Sequence, residues 1–462
     1  MHFSILSFSL LFLINKINGT RIVCYTTNWS QYRPNEGKFL PENIDPFLCT
    51  HLIYAFAVIK DGLLASFEWN DESTASTRGL YERTTDLKKI NPNLKVLLSV
   101  GGWNFGSAEF SRLVSDSASM QRFGTESVNF LNKYKFDANR EGSSPQDKIN
   151  YTKFIQIMRD LYEPQSLLLC ATLAAGKSVI DSAYEVDKII NNLNFVNIMT
   201  YDYHGAWEPF TGVPAPLYSR PEETGEAQFF NVNFTINYFI EKGAVAEKIN
   251  LGLITYGRTF RLRNPALNQI GSPANGPGSP GQFTRDSGFL ASYEICTRLD
   301  QGWTERWNDI QQVSYAFFND QWLGFDNERS LKSKIDFLKF LNLGGAMVWT
   351  MDMDDFSGNF CKKGRYPLIN FIRSEIMNDA SSTLTSTSPT SSTTTLTSAT
   401  MPPIDLECPN GPGYYANRQS GCKKFYLCSG SENFRIYEFE CPNGLLFDQD
   451  ILACNYESQV NC

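Results

Sequence analysis

The chain has 462 residues, 41 Lys and Arg against 49 Asp and Glu, and a formal net charge of -8. That length allows two or three domains, and 42% hydrophobic residues exclude a largely disordered chain. The acidic balance argues against nucleic acid or an anionic membrane surface as the main partner. Only three histidines (His2, His51, His204) and no Cys-x-x-Cys pair argue against zinc sites and His-based triads, so neither metal nor cofactor is expected.

Residues 3–14 (FSILSFSLLFLI) form an apolar run too short to span a bilayer, and Gly19 offers a small residue for cleavage. Residues 1–19 are therefore predicted to be a signal peptide of a secreted, extracellular protein. No other run approaches the length of a membrane span, so no membrane partner is expected. Over residues 20–378, short β-branched runs at 21–25, 51–58, 95–100, 166–173, 195–200, 249–254 and 345–351 alternate with helical patterns such as 120–134, 146–162 and 331–341. This alternation predicts an α/β parallel barrel, with an α+β insertion before the last strand. A closed barrel of this type takes eight strands, and the pattern shows seven.

The ends of these strands carry Tyr25, Phe56, Trp103, Asn104, Met199, Tyr201, Asp202, Tyr256, Arg258 and Trp349. In a β/α barrel they converge on one face, where flat rings suit a ligand with flat apolar faces, such as a sugar. Any single one of these aromatics is as readily a cap on the core. The joint pattern favours a pocket.

Several segments then occur in the order of one family: residues 24–33 (CYTTNWSQYR), 99–103 (SVGGW), 199–202 (MTYD) with His204-Gly-Ala-Trp207, 251–258 and 344–352. Over these residues the chain resembles a family 18 glycoside hydrolase, the chitinase family, and the resemblance implies a (β/α)8 TIM-barrel type. It implies substrate-assisted retaining hydrolysis of β-1,4-linked N-acetylglucosamine. In that chemistry a glutamic acid protonates the glycosidic oxygen and the substrate's own acetamide attacks the anomeric carbon. The same resemblance assigns Asp202 and Tyr201 to orienting the acetamide and Trp349 to the floor beneath the reacting sugar. It places Tyr25, Phe56, Trp103, Asn104, Met199, Trp207, Tyr256 and Arg258 along the substrate.

The family's fourth strand carries Asp-Gly-x-Asp-x-Asp-x-Glu, which ends in the proton donor. Here Phe136-Asp137 matches its start and residues 142–148 match the loop beyond it. The fourth strand and its acidic cluster are expected to be missing, leaving Asp137 as a supporting carboxylate. Glu141, in the polar run Ala-Asn-Arg-Glu-Gly, reads as a solvated loop acid rather than a proton donor with a raised pKa. Loss of one strand of eight would leave a barrel closed on seven, or an open one with two bare edges.

Residues 380–400 hold 16 Ser and Thr in 21 positions, so 379–404 reads as an extended linker with O-glycosylation expected. Asn-x-Ser/Thr acceptors occur at Asn18, Asn28, Asn150 and Asn233. Six of the eleven cysteines fall in residues 405–462, with intervening lengths of 13, 5, 12, 12 and 7. A unit this small has too little core to fold without bridges, and spacing alone leaves the pairing open.

This disulfide-rich β module, with Cys422-Lys-Lys-Phe-Tyr-Leu-Cys428, resembles the peritrophin-A type chitin-binding domain. That resemblance implies the bridges Cys408–Cys428, Cys422–Cys462 and Cys441–Cys454, with Phe425, Tyr426 and Tyr437 as sugar-facing aromatics. The barrel's resemblance implies Cys24–Cys49 and Cys296–Cys361, while Cys170 sits in an apolar strand as a buried thiol. The expected partner is chitin or N-acetylglucosamine oligomers, and the expected hydrolytic activity is little or none. The alternatives are an active chitinase, a non-catalytic lectin-like protein and a matrix protein.

Overall fold

The computed structural model describes residues 20–141, 148–382, 413–429, 435–441, 445–449 and 453–462. The chain divides into two compact units, residues 1–386 and 387–462. The predicted signal peptide and nearly all of the predicted linker lie outside the described residues.

The first unit is built on eight parallel strands: β1 (Arg21–Thr27), β2 (His51–Lys60), β3 (Lys95–Val100), β4 (Ala138–Glu141), β5 (Leu168–Ala174), β6 (Phe195–Met199), β7 (Ile249–Ile254) and β8 (Gly345–Trp349). Each pairs with the next, and β8 pairs with β1, so the barrel closes. This corrects the expectation of a missing fourth strand and bare edges. Residues 138–141 occupy that place themselves, pairing with Leu97–Ser99 on one side and Leu168–Ala171 on the other.

Ala, Asn, Arg and Glu are poor strand formers. Tertiary context overrides that preference, because two neighbours with unsatisfied N–H and C=O groups demand a partner. The pairing begins one residue earlier, where Asp137 N donates to Val96 O (2.7 Å) and Leu168 N donates to Asp137 O (2.8 Å). The preceding helix, Ser117–Tyr134, starts on Asp116, whose carboxylate accepts from Ser119 N, and ends where Lys135 turns left-handed (φ 62°). That turn delivers Phe136 into the core and Asp137 to the foot of β4.

Apolar side chains fill the barrel interior: Val23, Tyr25, Ile53, Ala55, Leu97, Cys170, Phe195 and Met347. Threaded through them is a polar column. Arg21 Nε donates to Asn250 Oδ1 (3.0 Å), Asn250 Nδ2 to Asn197 Oδ1 (2.9 Å), and Asn197 Nδ2 to Tyr25 OH (3.4 Å). Tyr25 OH in turn lies 3.0 Å from Thr172 Oγ1. Buried amides are tolerated here because each finds a partner.

Between β7 and β8 lies the predicted insertion, an antiparallel sheet ordered Ala274–Pro277, Tyr256–Leu262, Gln321–Phe325, Val313–Phe318, Thr304–Asn308. Its first strand starts two residues after β7 ends, so Tyr256 and Arg258 stand directly over the barrel mouth. Cys24–Cys49 ties β1 to the segment before β2, and Cys296–Cys361 ties the insertion's helix Ser292–Asp300 to the chain beyond β8. The last helix, Pro367–Ser382, runs past the expected linker start at 379. Among the described residues no helix is long and apolar enough to cross a membrane.

The second unit has a three-stranded antiparallel sheet (Gly413–Asn417, Lys424–Ser429, Arg435–Glu440) and a hairpin (Leu445–Asp448, Ala453–Tyr456). Cys422–Cys462 closes it and Cys441 is disulfide-bonded. Cys408 and the side chains of Cys428 and Cys454 lie outside the described residues. Phe425 stacks on fully buried Phe447 at 4.3 Å, and Tyr415 stacks on Tyr426 at 5.7 Å.

Candidate functional site

The C-terminal strand ends do converge, and Trp349 stands at the centre. Its ring lies 5.2 Å from Tyr25, 6.0 Å from Phe56 and 6.5 Å from Trp29, centroid to centroid. Trp29 and Phe56 also stack on each other at 5.8 Å. Tyr25 is fully buried beneath, at the top of the polar column, so the floor rests on a filled barrel. Phe56 fits because the loop after β3 carries Gly102 at φ +100°, where a Cβ would lie 2.7 Å from the Phe56 ring. The peptide bonds before Phe56 and after Trp349 are cis.

Asp202 follows β6 in a left-handed conformation (φ 57°) that turns its carboxylate toward the insertion. There Oδ1 accepts from Tyr256 OH (2.7 Å) and Arg258 Nε (2.8 Å), and Oδ2 accepts from a terminal Arg258 nitrogen (2.7 Å). These are short, charge-assisted and partly bidentate bonds. Burial works against the Arg258 charge, but the bonds to Asp202 and its negative charge outweigh it, and the guanidinium pKa is raised. Burial, reinforced by the Asp202 charge, also raises the Tyr256 phenol well above its usual value. Both groups therefore remain protonated donors near neutral pH. A carboxylate offers about four acceptor positions, and three are used. One direction of Asp202 is left for a ligand N–H or O–H.

The Arg258 guanidinium also lies over the rings of Trp207 (5.4 Å) and Phe289 (5.2 Å). Tyr201 packs edge-on to Tyr256 at 6.3 Å, with its hydroxyl 3.8 Å from Met347 Sδ. Met199 is part of the wall of the interior cluster. Trp103 is 97% exposed and Trp207 61% exposed, with Asn104 exposed beside Trp103. Rings this open present flat apolar faces to water.

Asp137 does not join this group. It stands at the foot of β4, the end opposite the mouth, where Oδ2 accepts from Val96 N (2.8 Å) and Lys88 Nζ (3.0 Å). Its carboxylate fixes the start of β4 and does not support chemistry at Asp202. The mouth end of β4 is Glu141, the one carboxylate in Ala138–Glu141. Among the described residues no group of three or more His, Cys, Asp or Glu is placed to hold a metal ion.

Two features escaped the sequence reading. Trp29 lay inside a quoted motif without a role, and its place against Phe56 and Trp349 makes it part of the floor. The Asp202–Arg258 clamp joins residues 56 apart in sequence, and nothing in their spacing announces it.

The comparisons agree with this geometry. Residues 21–354 match the model of glycosyl hydrolases family 18, and residues 408–462 match the chitin-binding peritrophin-A domain. The chain is 38% identical to mouse chitotriosidase-1, over 96% of this chain and 97% of that protein. Among solved structures, an immunomodulatory active chitinase from Trichuris suis aligns with a TM-score of 0.74 at 37% identity, covering 77% of this chain and all of the other. Human YKL-39, a pseudo-chitinase with retained chitooligosaccharide binding, aligns with a TM-score of 0.74 at 39% identity, covering 78% and 100%. The chain is a member of glycosyl hydrolase family 18 with a C-terminal peritrophin-A domain.

Proposed function

We propose that this protein is a secreted binder of chitin and N-acetylglucosamine oligomers whose barrel holds the sugar chain but hydrolyses it slowly or not at all. The single observation that carries this reading is the contrast at the mouth. Trp349, with Trp29, Phe56 and Tyr25 around it, forms an aromatic floor, and the Tyr256–Arg258–Asp202 clamp leaves one acceptor direction open. Such a site stacks a sugar face and receives an acetamide N–H. Hydrolysis needs in addition a carboxylic acid aimed at the glycosidic oxygen. Asp202 is already engaged as the acceptor of three hydrogen bonds from Arg258 and Tyr256.

Family membership supports the substrate class, and relatives of similar identity include both an active chitinase and a pseudo-chitinase. The peritrophin-A module adds a second attachment point, which raises the effective concentration of the barrel at an insoluble polymer. Disulfides in both units suit an oxidising, extracellular compartment.

Isothermal titration with soluble N-acetylglucosamine oligomers tests the barrel. Saturable binding by protein lacking residues 405–462 is expected, and its absence contradicts the reading. Chitin-bead capture of the full chain and of the shortened one tests the module, and the full chain should be retained more strongly.

A further inference from the structure

The acceptor motifs for N-linked glycans are not equivalent once the chain is folded. Three have described asparagines: Asn28-Trp-Ser, Asn150-Tyr-Thr and Asn233-Phe-Thr. We propose that the native protein carries N-linked glycans at Asn150 and Asn233 and none at Asn28, so that modification falls on the outer helices and the aromatic mouth stays bare. The proposal rests on the secretory route argued above, since N-glycosylation occurs there.

Asn28 is 2% exposed, and its Nδ2, the atom a glycan would occupy, donates to Phe56 O at 3.1 Å. That carbonyl belongs to the residue whose ring stacks on Trp29 and Trp349. The surroundings are equally engaged. Gln31 Nε2 donates to Asn28 O (2.8 Å), so the backbone beside this amide is fixed as well. A sugar on Nδ2 needs space that close packing does not leave, and it would displace the bond to Phe56. A chain modified there cannot seat the turn after β1.

Asn150 lies in the first turn of helix Lys148–Tyr162, half-exposed, between exposed Ile149 and buried Tyr151. The hydroxyl residue of its motif, Thr152, is also half-exposed and donates to Lys148 O (3.2 Å). Asn233 is the second residue of helix Val232–Glu241 and half-exposed. Its Oδ1 accepts from Asn237 Nδ2 (3.0 Å), a bond made by the oxygen that a glycan leaves in place. Both asparagines lie in the first turns of helices of the barrel's outer ring.

The test expresses the full chain in cultured eukaryotic cells, recovers it from the medium and removes N-glycans enzymatically in 18O water. Peptide mass spectrometry then locates the converted residues. The expected result is 18O-labelled Asp at positions 150 and 233 and unmodified Asn at 28. Label at position 28, or no label at either 150 or 233, overturns the proposal. Thr152→Ala should remove the label at 150 while chitin-bead capture persists. Retention of the protein in the cells with residues 1–19 attached contradicts the secretory reading instead, and the partition is then read on the same chain behind an unrelated cleaved leader. In enzymatically deglycosylated protein, Asn28→Ala should lower the thermal midpoint, and an unchanged midpoint contradicts the structural role given to that amide.

Discussion

The β6–β8 side of the barrel mouth and the β4 side obey different constraints. On the first, five-residue β6 and β8 and six-residue β7 lead into an insertion whose first strand supplies Tyr256 and Arg258 to Asp202, while Trp349 ends β8. On the second, a four-residue strand closes the sheet and ends at residue Glu141. Backbone pairing is indifferent to side chains, so a short polar segment can complete a barrel. A proton donor needs one particular side chain at one place. Closure and chemistry are therefore separable, and here a short polar segment suffices for the first.

The largest expected effect comes from breaking that contrast. Inserting the family's Gly-x-Asp-x-Asp-x-Glu segment between Asp137 and Ala138 should confer hydrolysis of N-acetylglucosamine oligomers. A positioned general acid contributes about 10²–10⁴-fold in rate, which a chromatographic assay of products resolves. No gain in a variant that still binds oligomers would mean that the β6–β8 side is itself incompetent.

Next in size, Arg258→Ala leaves the Asp202 carboxylate without its counter-charge. Fully buried pairs cost about 3–5 kcal/mol to break. With side chains 22% and 33% exposed, about 2 kcal/mol is expected after allowing for solvent screening, read as a lower thermal midpoint together with weaker oligomer binding. Trp349→Leu should cost about 1.5 kcal/mol of oligomer affinity, or roughly tenfold in Kd. Trp103→Ala, at a fully open position, should leave the thermal midpoint nearly unchanged.

The smallest effect separates the mouth from the barrel's general stability. His51 starts β2 at the opposite end, where burial first, and then the charges of Arg21 and Lys95, push its pKa down to about 4. The folded value lies below the unfolded 6.5, so the contribution is present above pH 6.5 and lost as pH falls through about 4. His51→Gln should flatten that acid limb in unfolding measurements without changing oligomer affinity at pH 7.

Much of this was legible from residue patterns. Seven strands declared themselves through β-branched runs with acceptable boundaries, because a parallel strand buried on both faces must be apolar throughout. Ala138–Glu141 has no such pattern. It is a strand because Leu97–Ser99 and Leu168–Ala171 flank it, and that is tertiary information. The rings at strand ends were readable one by one, and Trp349, Phe56 and Tyr25 meet as the barrel reading required. The pairing of Asp202 with Arg258 depends on how the insertion folds back over the mouth. The place of Asp137 at the foot of β4 depends on strand direction, so a motif match placed it with the chemistry although its bonds are to Val96 and Lys88.

The central claim is binding without turnover, and a single sample decides it. Purified protein is titrated with a soluble N-acetylglucosamine hexamer in a calorimeter, and the same solution is then held for a day and analysed for shorter oligomers by mass spectrometry. The account predicts saturable heat and an intact hexamer. Shorter oligomers appearing at a rate like that of an active family member would contradict it, and would assign a proton donor to the mouth end of β4.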